Sequence, residues 1–382
     1  MTPALDDLPD PRNFPEPSSV PSWAAEIHTL AAKALEASTG TAADSLEQLL
    51  SQRLQQLLVE GDGHSLAALL RLSPGVAIHR HVARALARLA RGPRDESEAL
   101  TLTLFAVPIV VVAATTSQEI PQVRIPGVLA DAAAARVLLQ NHRALGGNES
   151  FAIGSALASV DSIDVRRLPV LLATRELGEH RSPLDVAPAD IDVVAGERAH
   201  LRFLVGSAVA ARDKDLFASQ PAAPWAMALA RELMTQLSRP GASIVALPRA
   251  PSDLVTASSQ GLAAQRDVSA QLFASNALRK LRAEAGEPTA VISAHHAADA
   301  PGGGELRLSL SSPLAPRAAE GFRCAILPAE RVVDVATMLA DLMRDCRVAD
   351  VRVVRGIHPD RDALTGGPLL FKPETLPLRA VH

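Results

Sequence analysis

The chain has 382 residues, 38 Lys and Arg against 42 Asp and Glu, and a formal net charge of −4. That length holds about two domains with a sizeable core, and the balance of charge argues against general affinity for nucleic acid or anionic membrane. Two cysteines, Cys324 and Cys346, are too few for a disulfide framework or a cysteine-based zinc site and fit a reducing compartment.

Residues 1–21 carry Pro3, Pro9, Pro11, Pro15, Pro17 and Pro21. Proline at this density removes backbone donors, so the segment reads as a disordered arm. It begins with Asp6, Asp7 and Asp10 and lacks the apolar core of a signal peptide, which makes the cytoplasm the expected compartment. Residues 22–95 then read as a helical region. Trp23, Ile27, Leu30 and Ala34 follow Ser22 at helical spacing, and Leu46, Leu50, Leu54 and Leu57 mark a second helix that stops at Gly61-Asp62-Gly63. A third covers 65–72, and a fourth opens at Ser73-Pro74 and closes at Gly92-Pro93. The fourth places Arg80, Arg84, Arg88 and Arg91 on one face, with His79 and His81 alongside. Such a face serves either phosphate binding or a solvated surface paired with acids such as Asp95, Glu96 and Glu98. The acidic total and the shortage of aromatic side chains for base stacking favour the second.

No charge falls between Glu98 and Glu119. Leu100–Thr116 is long enough to span a bilayer as a helix, but Val107, Ile109, Val110, Val111 and Val112 are β-branched, and Thr101-Leu102-Thr103-Leu104 alternates as a strand does. We read it as a strand with both faces covered. Pro108 predicts two pieces, Leu100–Val107 and Ile109–Ala113, meeting at a bulge or bend. Downstream, the pattern predicts a helix over 127–145, a short strand at Phe151–Ile153, an ambiguous stretch over 163–177 interrupted by Pro169, and strands at Ile191–Val194 and Leu201–Ala210 around Gly196. A helix from Trp225 to Leu237 follows.

The last third shows an internal likeness. Ser243–Pro248 is an apolar run ending in Leu-Pro before a helix start, and Cys324-Ala325-Ile326-Leu327-Pro328 repeats the pattern. Each half reads β-α-β-β. The first helix is expected to break near Ser258-Ser259-Gln260-Gly261. A Pro301-Gly302-Gly303-Gly304 turn joins antiparallel strands 290–294 and 305–311, and Leu369–Phe371 is a candidate edge strand. The expected fold is α+β, with helices packed on mixed sheets. The divisions are 22–95 helical, 96–240 α/β, and 241–382 α+β with duplicated β-α-β-β units.

Three pieces carry a family resemblance: the helical opening before Leu104-Phe105-Ala106-Val107-Pro108, the Ile-Pro loop after it, and the run from His200 to Val209. From Ala43 onward the layout resembles an uncharacterised proteobacterial family known only as a domain of unknown function. The resemblance implies a cytoplasmic bacterial protein and transfers no activity and no site residues.

The chain lacks the phosphate-loop, dinucleotide-binding, zinc-protease and nucleophile-elbow motifs. The glycines at 302–304 lie between strands, where they serve a turn. The nearest approach to a metal site is His295 or His296 with His358, Asp360 and Asp362, ligand types that converge at strand ends in metal-assisted hydrolases. Adjacent residues on a strand face opposite ways, so His295 and His296 do not both reach one ion, and solvation accounts for the 358–362 acids. Cys324 on a strand and Cys346 at a helix end read as inert thiols. Asp341 and Asp345, near Arg344 and Arg347, read as a solvated helix face. The expectation is therefore a non-catalytic interaction or regulatory protein, self-associating and without cofactor. The alternatives are the metal-assisted hydrolase and a nucleic-acid binder acting through the Arg80–Arg91 face.

Overall fold

The computed structural model describes residues 20–37, 40–90, 100–116, 122–146, 150–177, 184–211, 216–217, 223–297, 303–312, 315–362 and 366–371. Residues 1–19 of the proline-rich arm, Arg91, the acids Asp95, Glu96 and Glu98, and Pro301-Gly302 lie outside them. The described residues form two compact units. One holds 29–70 and 81–265; the other holds the residues up to His28, Arg71–Arg80 and those from Arg266 on.

The helical opening comprises α1 (Ser22–Glu36), α2 (Thr41–Val59), α3 (Gly63–Arg71) and α4 (Val76–Leu89). Asp62 starts α3: its carboxylate accepts the Ser65 N–H at 3.0 Å and the Ser65 hydroxyl. Those bonds satisfy donors that a helix start leaves open, and they hold the carboxyl below the usual carboxylate range.

The first unit is organised by β1 (Leu100–Thr115). Around it stand β2 (Gln122–Ile125), α5 (Ala132–Asn141), β3 (Phe151–Ala158), α6 (Val160–Ile163), a 3-10 turn at Val165–Arg167, α7 (Leu168–Leu177), β4 (Ile191–Val194), β5 (Arg198–Ala211), α8 (Ala223–Leu237), β6 (Ala242–Pro248) and β7 (Ser252–Asp253). The main sheet runs β3-β5-β1-β6, with β7 also on β1, and every pairing is antiparallel. A separate ribbon pairs β2 with β4. Pro169 sits in the first turn of α7, where its missing N–H is harmless.

The expected break at Pro108 is absent; β1 is one continuous strand, with Pro108 opposite Phe203. The reason lies in which way Pro108 faces. Its carbonyl accepts the Arg249 N–H at 2.7 Å, and in a strand the nitrogen and oxygen of one residue point to the same side. The missing donor therefore falls between the end of the β6 pairing at Ile109–Pro248 and the β7 pairing at Ala106–Ser252, leaving the β5 ladder intact. Both faces of β1 are buried, as an unbroken apolar run requires. Phe105, Val107, Ile109 and Val111 join a core with Trp225, Leu229 and Leu233 of α8 and Leu139 of α5, while Leu104, Ala106 and Val110 are buried on the other face.

That second face bears on α9 (Leu254–Ala285), which is unbroken. Gly261, where a break is expected, instead lets the helix approach: a Cβ there would lie 3.0 Å from Leu201 Cδ1 and from the Phe203 ring. Burial against the sheet outweighs the roughly 1 kcal/mol that an internal glycine costs a helix.

The second unit contains β8 (Thr289–His296), β9 (Gly304–Ser312), β10 (Ala315–Ala325), α10 (Val332–Asp345) and β11 (Asp350–His358). Its sheet runs β10-β9-β8-β11, antiparallel except for the parallel β8–β11 pair. The fold is thus α+β with a mixed sheet. Residues of α9 from Ala270 on and of α10 pack against Ala290, Ile292, Leu306 and Leu308 on one face. The duplicated β-α-β-β reading does not hold. Ser243–Pro248 is an edge of the first sheet, beside β1, so position 240 does not separate the sheets. Cys324-Ala325 instead ends β10 of the second sheet, and Leu369–Phe371 is not a strand. Both runs satisfy the same local grammar of apolar strand, proline stop and helix start, which says nothing of pairing partners.

Among the described residues, no helix is long and apolar enough to cross a membrane.

Candidate functional site

The face of the second sheet away from α10 is polar and buried. Ser293 and His295 of β8 lie there with Glu305, Arg307, Ser309 and Ser311 of β9. Alternation sends Ile292, Ala294, Leu306 and Leu308 to the apolar core and these residues to the opposite side. In β11, two extra residues fall between the pairs Val353–Ile292 and Ile357–Ala294, with Gly356 at φ +84° within the irregularity. Two residues preserve the alternation, so Ile357 stays on the core face and His358 comes opposite His295.

Arg307 is the centre of this face and is 0% exposed. Its Nε donates to Glu305 Oε1 at 2.6 Å, and its terminal nitrogens donate to the Asp360 carboxylate, the Asp360 carbonyl and, at 3.0 Å, the Leu369 carbonyl. Arg323, across from Arg307 on β10, gives Nε to Glu305 Oε2 at 2.8 Å. Two guanidinium groups and two carboxylates thus balance, which is the condition for burying such charges at all. The Arg307 bonds, with Leu370 lying over Gly321, hold the chain after β11 down on the sheet.

His295 is also fully buried. The Pro359 carbonyl, 2.9 Å from Nδ1, can only accept, so Nδ1 carries the proton; Nε2, 2.8 Å from Ser293 Oγ, then accepts from the hydroxyl. Burial first, and next the positive charge of Arg307, hold the imidazole neutral and push its pKa down to about 4, against the pull of the Pro359 carbonyl. The His295 and His358 rings stand 5.8 Å apart, and Phe371 meets His358 edge-on at 4.6 Å.

The residues proposed for a metal-assisted hydrolase are therefore partly assembled and otherwise engaged. His295 and His358 come together, but both His295 nitrogens are bonded and His358 Nε2 donates to the Arg355 carbonyl at 3.0 Å. Asp360 is not a solvated loop acid, since its carboxylate sits on Arg307. His296 points to the other face of β8, as alternation demands. Asp362 takes part in the turn that closes on Gly366 and Gly367. Among the described residues, no group of three or more His, Cys, Asp or Glu side chains is placed to hold a metal ion. Ser293 with His295 has the contact of a nucleophile and its base, yet both are 0% exposed, so no substrate reaches them.

The other candidates resolve similarly. Arg88 lies 3.2 Å from the Glu47 carboxylate and His81 2.7 Å from it, while Arg80 donates to the Ala329 carbonyl at 3.0 Å. Cys324 is buried in the apolar core, and burial pushes its thiol up to about 12, far from a reactive range. Asp341 pairs with Arg344 on an exposed helix face.

The neutral imidazole makes stability depend on pH. In the unfolded chain, His295 takes a proton near its ordinary value of about 6.5; folded, only near 4. Its contribution is complete above about pH 6.5 and is lost as pH falls toward 4, because the unfolded state binds the proton first. Urea unfolding followed across that window is expected to show a loss of up to ~3 kcal/mol. His295→Gln, which cannot take a proton, flattens that part of the profile. Identical slopes for the two proteins contradict the assignment.

Arg307, Glu305 and Ser293 escaped the sequence reading. The available signal was the alternation of polar residues at 305, 307, 309 and 311, a pattern that ordinarily marks a solvent face. No family model matches this chain, and comparison with curated proteins and with solved structures likewise gives no match.

Proposed function

We propose that this chain is a non-catalytic interaction or regulatory protein of the bacterial cytoplasm, acting through contacts with further copies of itself. The observation that carries this reading is the engagement of the charged groups and the imidazole of the polar face within the fold. Arg307, Glu305, Asp360, His295 and Ser293 form the strongest convergence of polar groups among the described residues, and they spend their bonding capacity on one another and on the chain after β11. Catalytic groups hold bonding capacity in reserve for a substrate or a transition state; these groups serve the fold. The pairing of Arg88 and His81 with Glu47 disfavours the nucleic-acid alternative. The acidic net charge supports the same preference.

Sedimentation equilibrium on the full chain tests the reading. The expected result is a weight-average mass that rises above the 40.1 kDa of one chain as concentration increases. A single 40.1 kDa species at every concentration overturns it.

A further inference from the structure

The two edges of the first sheet are finished differently. On β3 the outer backbone is covered over its second half: Leu157 donates to the Gly127 carbonyl at 2.7 Å and accepts from Ala189 at 2.9 Å, and Leu129 donates to the Ser155 carbonyl at 2.8 Å. The outer edge of β6 has no such cover among the described residues.

Which β6 groups face outward follows from the β1 register. Pro108 and Thr116 turn their backbone toward β6, accepting from Arg249 and donating to Gly241 respectively. The residues of β1 between them that share this orientation are Val110, Val112 and Ala114, and they lie opposite Leu247, Val245 and Ser243. Those three therefore bond inward, and Ile244 and Ala246 direct both N–H and C=O away from the sheet. Strand β6 carries no charged residue, and Val245 is 45% exposed. Proteins ordinarily protect an open edge with lysine, a bulge or a covering loop.

We infer that this edge pairs antiparallel with β6 of a second copy, on a two-fold axis at Val245. The inference rests on the self-associating reading above and adds the surface and the register. With the axis at Val245, Ile244 of each copy faces Ala246 of the other, and all the outward donors and acceptors of these residues close into four N–H···O bonds. Pro248 falls opposite Ala242; proline has no N–H to offer, and the Ala242 N–H already donates to the Arg239 carbonyl at 3.2 Å. Moving the axis to Leu247 sets Ala246 against Pro248 and loses a donor. Moving it to Ser243 sets Ile244 against the occupied Ala242 donor. Of these registers only the one on Val245 pairs every outward N–H and C=O of Ile244 and Ala246, and it brings two exposed β-branched side chains together on one face.

A single short strand pair buries less than the 1,200–2,000 Å² usual for stable interfaces, so the dissociation constant is expected to be on the order of 10–100 μM. Sedimentation equilibrium of the full chain, wild type and Val245→Lys, reads it directly. Val245→Lys places two like charges across the axis and is expected to weaken association at least ~10-fold without moving the unfolding midpoint, because the position is exposed in one chain. Val245→Cys provides a second reading that does not depend on affinity. Directly opposed residues on antiparallel strands lie within disulfide reach, so mild oxidation is expected to give a covalent dimer, whereas Ser243→Cys, which faces Leu247 across the axis, gives none. If the wild type associates while Val245→Lys associates equally well and Val245→Cys fails to cross-link, the edge is wrong and self-association stands. A wild type that stays monomeric throughout overturns both, whether or not the edge takes up an extended peptide.

Discussion

Arg307→Met is expected to lower the unfolding free energy of the four-stranded sheet by about 3–5 kcal/mol, the cost of breaking a buried ion pair from one side. The substitution preserves most of the apolar volume, so the loss is electrostatic. Glu305, whose side chain is 4% exposed, keeps Arg323 but loses Arg307, and the Asp360 and Leu369 carbonyls lose their donor. Arg307→Lys retains the charge yet replaces a planar fork of five donors with one point of three, so it recovers only part of the loss. Removing both charges, Arg307→Met with Glu305→Met, is expected to cost less than Arg307→Met alone, because no carboxylate is left stranded. Asp360→Ala, at a side chain 44% exposed, costs less still.

A second readout separates this account from a general loss of packing. The chain after β11 is held by Arg307 through Asp360 and Leu369, and by His295 through Pro359. Limited proteolysis is expected to cut within residues 359–371 of Arg307→Met under conditions that leave β8–β10 whole. Unfolding of Arg307→Met within 0.5 kcal/mol of wild type, with this segment as resistant as before, would mean that apolar contacts such as Leu370 on Gly321 suffice.

The sequence disclosed what depends on local chemistry. The β-branched run at 107–112 had to be a strand buried on both faces, and α1 begins at Ser22 and α2 ends just before Gly61, as local chemistry requires. What stayed hidden depends on pairing. Nothing near Ser243–Pro248 says that it joins β1 rather than the strands that follow it, and nothing near Pro108 says that its missing donor meets a gap between two partners. The polar face was hidden for a similar reason. A single alternating strand looks alike whether water or a neighbouring segment covers its polar side, and only the bulge at Gly356 brings His358 and the residues after it over Arg307 and His295. His295 and His296 were separated correctly because alternation is a local property.

Gly206→Ala is expected to destabilise the first sheet by about 2–4 kcal/mol, through overpacking where two neighbours are fixed. A Cβ on Gly206 would stand 2.4 Å from the Ala152 carbonyl oxygen and 2.5 Å from Phe105 Cζ. Gly206 lies in β5 between Phe105 of β1 and Ile153 of β3, and the Phe105 ring crosses it to meet Phe151 edge-on at 6.1 Å. The ring can turn at some cost in core packing; the oxygen belongs to a strand on the sheet and moves only with its backbone. Phe105→Leu separates the two contributions. By itself it costs what a smaller side chain leaves unfilled. Combined with Gly206→Ala it relieves the ring contact and leaves the oxygen, so the double variant is expected to remain more than 1 kcal/mol below Phe105→Leu alone. Equal stability of those two variants would assign the whole clash to the ring, and a Gly206→Ala chain within 0.5 kcal/mol of wild type would show that β3 shifts freely on β5. The register irregularity between Ile153 and Leu157 gives β3 one place to bend. The bonds from Leu157 and Ser155 to residues 127, 129 and 189 fix the far side of that bend, so the strand cannot retreat from an added methyl group without giving up its covered edge.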